Sequence, residues 1–178
     1  MINKKHQTLC VKTSSEEASI ALGQAIGTTL AGAVPVLTIL LYGELGAGKT
    51  TLVRGIGCAL GITRVRSPSF TLVNEYHTGR FSIVHADLYR LEPGDVEDLG
   101  LEEYNEAPCV LLVEWPERWA NPPTSEVLKI FIKAADENER VFDISSTGET
   151  AEFVLQNLKE AIVNGKTHSS PGLQLALD

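Results

Sequence analysis

Residues 43–50 read GELGAGKT, with Gly43, Gly48, Lys49 and Thr50 in the spacing G-x-x-x-x-G-K-[ST]. Each residue type in that spacing has a use toward phosphate. Gly43, Gly46 and Gly48 let the backbone turn, so that N–H groups of the loop, including Glu44, Leu45 and Ala47, converge on anionic oxygens. Lys49 has the charge and reach for outer phosphates. The Thr50 hydroxyl is a hard oxygen ligand of the kind Mg²⁺ prefers. Thr51 follows in the first turn of a helix, whose free N–H groups and dipole face the anion. The alternative is a glycine-rich turn that caps a helix by chance. It requires the flanking strand and helix to be coincidental as well.

Phosphate-bound Mg²⁺ calls for an acid at the end of a neighbouring buried strand. Two acids close apolar runs: Glu114 ends VLLVE and Asp87 ends SIVHAD. A carboxylate delivered after buried apolar residues costs free energy unless something pairs with it, and a metal ion is such a partner. Glu114 is the expected metal-side acid. Asp87 is expected near the outermost phosphate, either orienting water or holding the metal through water. Arg90 and Arg118 lie beside these acids and are candidates for charge stabilisation, with plain solvent exposure as the alternative. Trp115 and Trp119 read first as packing residues, and His77 and His85 as strand histidines.

The elements that must position these groups are legible from pattern. The run VLTILLY (36–42) is continuous, apolar and β-branched, as in a central strand buried on both faces. Residues 49–61 read as the following helix, with Gly61 as its stop. CVLLVEW (109–115) is a second buried strand. Upstream, residues 6–13 read as a strand. Residues 14–32 read as a helix capped by Ser14 or Ser15, with Glu16 and Glu17 in its first turn. Residues 69–91 read as two strands joined near Gly79, and 126–136 with 139–148 as another antiparallel pair. Residues 150–165 read as an amphipathic helix, and 166–178 as a mobile tail. The alternation of strands and helices predicts one α/β domain over residues 1–165. It is three-layered, with a mostly parallel central sheet and antiparallel additions.

Composition narrows the function classes. The chain has 178 residues, 43% of them hydrophobic and 21% charged, with a formal net charge of -8. That size suits one domain with a full core. The acidic balance argues against autonomous binding to a nucleic acid backbone. Cys10, Cys58 and Cys109 are too far apart for a zinc pattern and read as reduced thiols. No apolar run reaches the length of a membrane span, and the start MINKKHQTL lacks a signal-type apolar run, so the expected compartment is the cytoplasm. Residues 92–108 hold seven acids and no base. They read as a solvated face, with a docking surface as the alternative.

In order and separation, LYGELGAGKTTLVRGI, VRSPSFTLVNEY, HADLYRL and VLLVEWPER resemble the TsaE family (older name YjeE), over roughly residues 10 to 150. The resemblance implies a compact P-loop NTPase fold that binds ATP or ADP with Mg²⁺. It implies Thr50 and Glu114 as metal-side residues and catalytic roles for Lys49, Asp87 and Glu114. It implies a switch-like surface made by SPSF and Asp87. It also implies proximity of the segment around Glu16, and of the chain around Gly148, to the adenine. The implied activity is a weak, partner-dependent ATP hydrolysis. That hydrolysis supports repeated turnover by TsaB and TsaD in tRNA N6-threonylcarbamoyladenosine (t6A) formation, with tRNA met only through the complex. Ser69 stands where the family usually has threonine, which keeps the hydroxyl.

Two other classes share the loop. A small kinase acting on a metabolite or nucleotide usually carries an arginine-rich lid, whereas the region after HADLYR is acidic. A nucleotide-sensing scaffold would bind without turnover. A GTP-dependent switch would need NKxD and DxxG motifs, and the sequence has neither.

Overall fold

The computed structural model describes residues 8–33, 36–92, 94–106, 108–165 and 172–176. Its strands are β1 (Thr8–Thr13), β2 (Val36–Tyr42), β3 (Val73–His77), β4 (Ser82–Asp87), β5 (Cys109–Glu114), β6 (Val127–Ala134), β7 (Arg140–Thr147) and β8 (Leu173–Leu175). The helices are α1 (Glu16–Gly32), α2 (Lys49–Ala59) and α3 (Glu149–Val163). All described strands join one sheet in the order β3-β4-β5-β2-β6-β7-β1-β8. The central four, β4, β5, β2 and β6, are parallel, while β3, β7, β1 and β8 add antiparallel. Among the described residues, no helix is long and apolar enough to cross a membrane.

Burial follows the pattern of each strand. β2 and β5 are almost wholly apolar, Thr38 and the terminal Glu114 aside, because both their faces are covered. β6 alternates, with Leu128, Ile130 and Ile132 inward and Lys129, Phe131 and Lys133 outward. The larger core lies between the sheet and α1, α2 and α3, around Leu22, Ile26, Leu52, Ile56, Leu155 and Phe142. A smaller core, around Leu40, Val84, Val113 and Trp119, lies on the opposite face. Short 3₁₀ turns at Glu97–Leu99, Leu101–Glu106 and Pro116–Arg118 cover it, so the third layer is thin. The acidic segment belongs to this cover: Val96 and Leu101 are buried, while Asp95, Glu97, Asp98, Glu102 and Glu103 face solvent.

Two local devices set the helices. Ser15 caps α1, its side chain accepting from the Ala18 N–H at 3.1 Å. α3 is capped from a distance. The Glu126 carboxylate accepts from the N–H groups of Glu149, Thr150 and Ala151 at 3.1, 2.8 and 3.2 Å. Glu126 holds this position in the left-handed region, at φ 53°, a conformation costly for a residue with a Cβ.

The structure departs from the sequence reading in the tail. Leu173–Leu175 form β8, pairing Leu173 with Thr13 and Leu175 with Val11, and both leucines pack on the helix-side core. The unpaired edge of β1 offers N–H and C=O groups that these residues satisfy. The rest of the expected mobile tail, residues 166–171 and 177–178, lies outside the described residues.

Candidate functional site

Sheet register brings the proposed acids together before any side chain is considered. Glu114 stands opposite both Leu41 of β2 and Asp87 of β4, so all three strands end at one edge. The loop of residues 43–48 leaves β2 at that same edge and enters α2 at Lys49. Its turn depends on glycine. Gly48 caps α2 with φ 105°, and a Cβ on Gly43, at φ 147°, would come 2.6 Å from the Ile132 carbonyl oxygen.

Lys49 is buried, and its Nζ donates to the carbonyl oxygens of Gly43 and Glu44, the latter at 3.0 Å. The ammonium also lies 3.8 Å from the centroid of the Trp115 ring. Burial pushes the Lys49 pKa down, against the opposing pull of Glu114, Glu117, Asp87 and Glu44. An incoming phosphate would add to these negative charges and offset the water that burial takes from this ammonium.

The Thr50 hydroxyl donates to Glu114 at 2.8 Å from Oε1 and 3.1 Å from Oε2. Glu114 is itself buried and also meets His85 Nε2 at 2.8 Å. Asp87 accepts from the Tyr89 N–H at 3.1 Å and more weakly from the Ser67 hydroxyl at 3.4 Å. Burial pushes the Asp87 carboxyl up, and the charge of Glu114 adds to that. The Tyr89, His85 and Ser67 interactions pull it back in part. Thr50, Glu114 and Asp87 form an all-oxygen donor set at one cavity, which suits Mg²⁺. No group of three or more His, Cys, Asp or Glu side chains is arranged to hold a metal unaided among the described residues.

The cavity over these groups has a volume of about 450 Å³ and is lined by Gly46, Lys49, Thr50, Ser67, Asp87 and Glu114, among others. A second cavity of about 240 Å³ adjoins it across Gly46, Gly48 and Thr51, and is walled by Ser15, Glu16, Asn138 and Arg140. Glu16 is thus brought to the loop. Gly148 is not. β7 runs from Arg140, at the loop edge, to Thr147 at the opposite edge, and Gly148 sits there against Glu126. Arg118 lies in a 3₁₀ turn beyond β5. Arg90 packs 4.6 Å from the ring of the exposed Phe70 at the cavity rim.

Sequence reasoning missed Arg140. Its Nε donates to the Ala47 carbonyl at 3.1 Å, and its Nη1 to the carbonyls of Asp136, Glu137 and Glu139. One guanidinium therefore ties the phosphate loop to the β6–β7 turn, and only strand register reveals it. It read Trp115 as a packing residue and did not foresee its contact with Lys49. Trp115 stands at φ 61°, a strained backbone that carries its ring to Lys49.

Comparison with known proteins bears on this geometry. The family model described as "Threonylcarbamoyl adenosine biosynthesis protein TsaE" matches residues 13–142. A protein of Nostoc named "tRNA threonylcarbamoyladenosine biosynthesis protein TsaE" is 45% identical, over 74% of this chain and 82% of its own. One of the same name from Bacillus subtilis is 42% identical, over 73% of this chain and 82% of its own. The crystal structure of Bacillus subtilis YdiB superposes with a TM-score of 0.71 at 33% identity, covering 89% of this chain and 98% of that one. Every loop residue, the Thr50–Glu114 contact and most of the sheet fall inside the matched span, and the chain belongs to the TsaE family.

Proposed function

We propose that this protein is a Mg²⁺-dependent ATPase of the cytoplasm. It acts with TsaB- and TsaD-like partners in t6A formation on tRNA and sustains their repeated turnover. The observation that carries the reading is the joint between Thr50 and Glu114. It links the first turn of the phosphate-loop helix to the end of the neighbouring buried strand. Bound Mg²⁺ would neutralise charge that develops on the outer phosphates. Thr50 and Glu114 are the residues that would hold it.

The chain's own groups divide the remaining work. The loop N–H groups and the N-terminus of α2 bind the phosphate anion. Lys49 exchanges its carbonyl partners for phosphate oxygens. Asp87, beside the cavity and acceptor-only when ionised, orients water or the metal's hydration shell. The charge stabilisation that completes catalysis in such enzymes comes from an arginine or an ordered switch segment. Arg90 beside Phe70 and the Ser67-bearing loop are the parts a partner would order. Slow hydrolysis alone follows from that incompleteness.

Equilibrium titration with ATP, with and without Mg²⁺, tests the reading at its base. Wild-type protein is expected to bind more tightly with Mg²⁺. Lys49→Ala is expected to lose about tenfold or more in affinity, roughly 1.4 kcal/mol. Thr50→Val is expected to keep metal-free binding and lose the Mg²⁺ enhancement. Lys49→Ala binding as well as wild type would refute the loop assignment.

A further inference from the structure

We propose that His85 is a positioning residue for the metal-side carboxylate, fixing one oxygen of Glu114 so that the other stays available to Mg²⁺. The inference deepens the function above and rests on it.

His85 belongs to β4 and is fully buried, on the same strand face as Asp87. Its Nε2 lies 2.8 Å from Glu114 Oε1. An ionised carboxylate only accepts, so Nε2 carries the hydrogen in this contact. The Thr50 hydroxyl also reaches Oε1, at 2.8 Å, and Oε2 only at 3.1 Å. Oε1 therefore meets two donors at 2.8 Å, while Oε2 has only the longer Thr50 contact and keeps acceptor capacity. The ring's other nitrogen, Nδ1, is buried without a hydrogen-bond partner. Such an unmet polar atom is costly. A leucine or phenylalanine would fill this space without that cost, so packing alone does not account for a histidine here. The Nε2–H toward Glu114 does. Partners that orient a metal ligand in this way are commonly worth 10- to 100-fold in metal affinity.

The test uses three variants of the full chain. His85→Gln keeps an N–H donor near the Nε2 position, His85→Asn keeps a polar side chain too short to reach Glu114, and His85→Leu removes polarity. The readouts are the free Mg²⁺ concentration at half-enhancement of ATP binding, ATP affinity in EDTA, and the melting temperature. In His85→Asn and His85→Leu the Mg²⁺ midpoint is expected to rise about tenfold. ATP affinity in EDTA is expected to stay within about twofold of wild type, and His85→Gln to lie closest to wild type. If His85→Leu does not fold, the Asn–Gln pair decides alone. A folded His85→Asn with the wild-type midpoint overturns the proposal. So does a loss of ATP affinity that is equal with and without metal, since that marks a merely structural role. Wild-type binding that ignores Mg²⁺ defeats the function above and this inference together. A Mg²⁺-dependent wild type with an unshifted His85→Asn defeats this inference alone.

Discussion

Ionising Asp87 works against the fold. Its pKa in the folded protein is raised above 3.8, first by burial, so the native state binds this proton more tightly than the unfolded chain does. Ionisation therefore destabilises the fold. The penalty is fully present above the folded pKa, shrinks as pH falls through it, and is gone below the unfolded value. Asp87→Asn is expected to melt at or above the wild-type temperature at neutral pH, and the gap should close toward pH 3.8. Hydrolysis in the same variant should fall about tenfold or more, the scale of losing a water-orienting group. Melting curves at both pH values, with a phosphate-release assay, check the two halves. A variant that melts lower at neutral pH contradicts the burial argument. At this scale much of the site was legible. The glycine spacing announced the loop, and Asp87 and Glu114 stood out because each closes an apolar run. Arg140, Trp115 and His85 were hidden because their contacts come from register and one left-handed backbone, which no local pattern encodes. Gly148 was misplaced although the signal existed. An antiparallel β6–β7 pair returns the chain to the edge away from the loop.

α2, which carries Lys49 and Thr50, is held to α1 by backbone contact. A Cβ on Gly23 would strike the Leu52 carbonyl oxygen, and one on Gly55 would strike the Ile20 carbonyl oxygen. The close approach needs residues without side chains on both helices. Gly23→Ala is expected to destabilise by about 1–3 kcal/mol as overpacking. It should also weaken ATP binding, because the phosphate site sits on the displaced helix. Urea unfolding and ATP titration measure these together, and wild-type stability in Gly23→Ala would contradict the packing. α3 depends on Glu126 in a different way. Glu126→Ala removes the acceptor from three N–H groups and should cost about 1–2 kcal/mol, read as a lower denaturant midpoint. ATP affinity should be untouched, since this cap lies at the far edge. The element map was mostly visible in sequence because β2 and β5 are almost wholly apolar and the β6–β7 pair alternates. Leu173–Leu175 escaped notice because three residues carry no period. Only the open edge of β1 makes them a strand.

Across the whole molecule, the parallel centre delivers the ends of β2, β4 and β5 to one edge, and the antiparallel strands widen the sheet away from it. The helices crowd one face and the acidic cover crosses the other. The cavity over the glycine loop is left open at the edge, lined by exposed Leu45 and Tyr89 and by Arg90, against which exposed Phe70 packs. A net charge of -8 argues against such a surface holding tRNA alone. That is why activity is expected to depend on partners that handle the nucleic acid. The decisive measurement is the rate of ATP hydrolysis by the purified chain, alone and then with TsaB, TsaD and substrate tRNA. The expected result is slow turnover alone, at least about tenfold stimulation in the complete mixture as the site's charge stabilisation is completed, and none with Lys49→Ala. A rate unchanged by the partners, or stimulation that survives Lys49→Ala, would contradict a partner-dependent ATPase built on this loop.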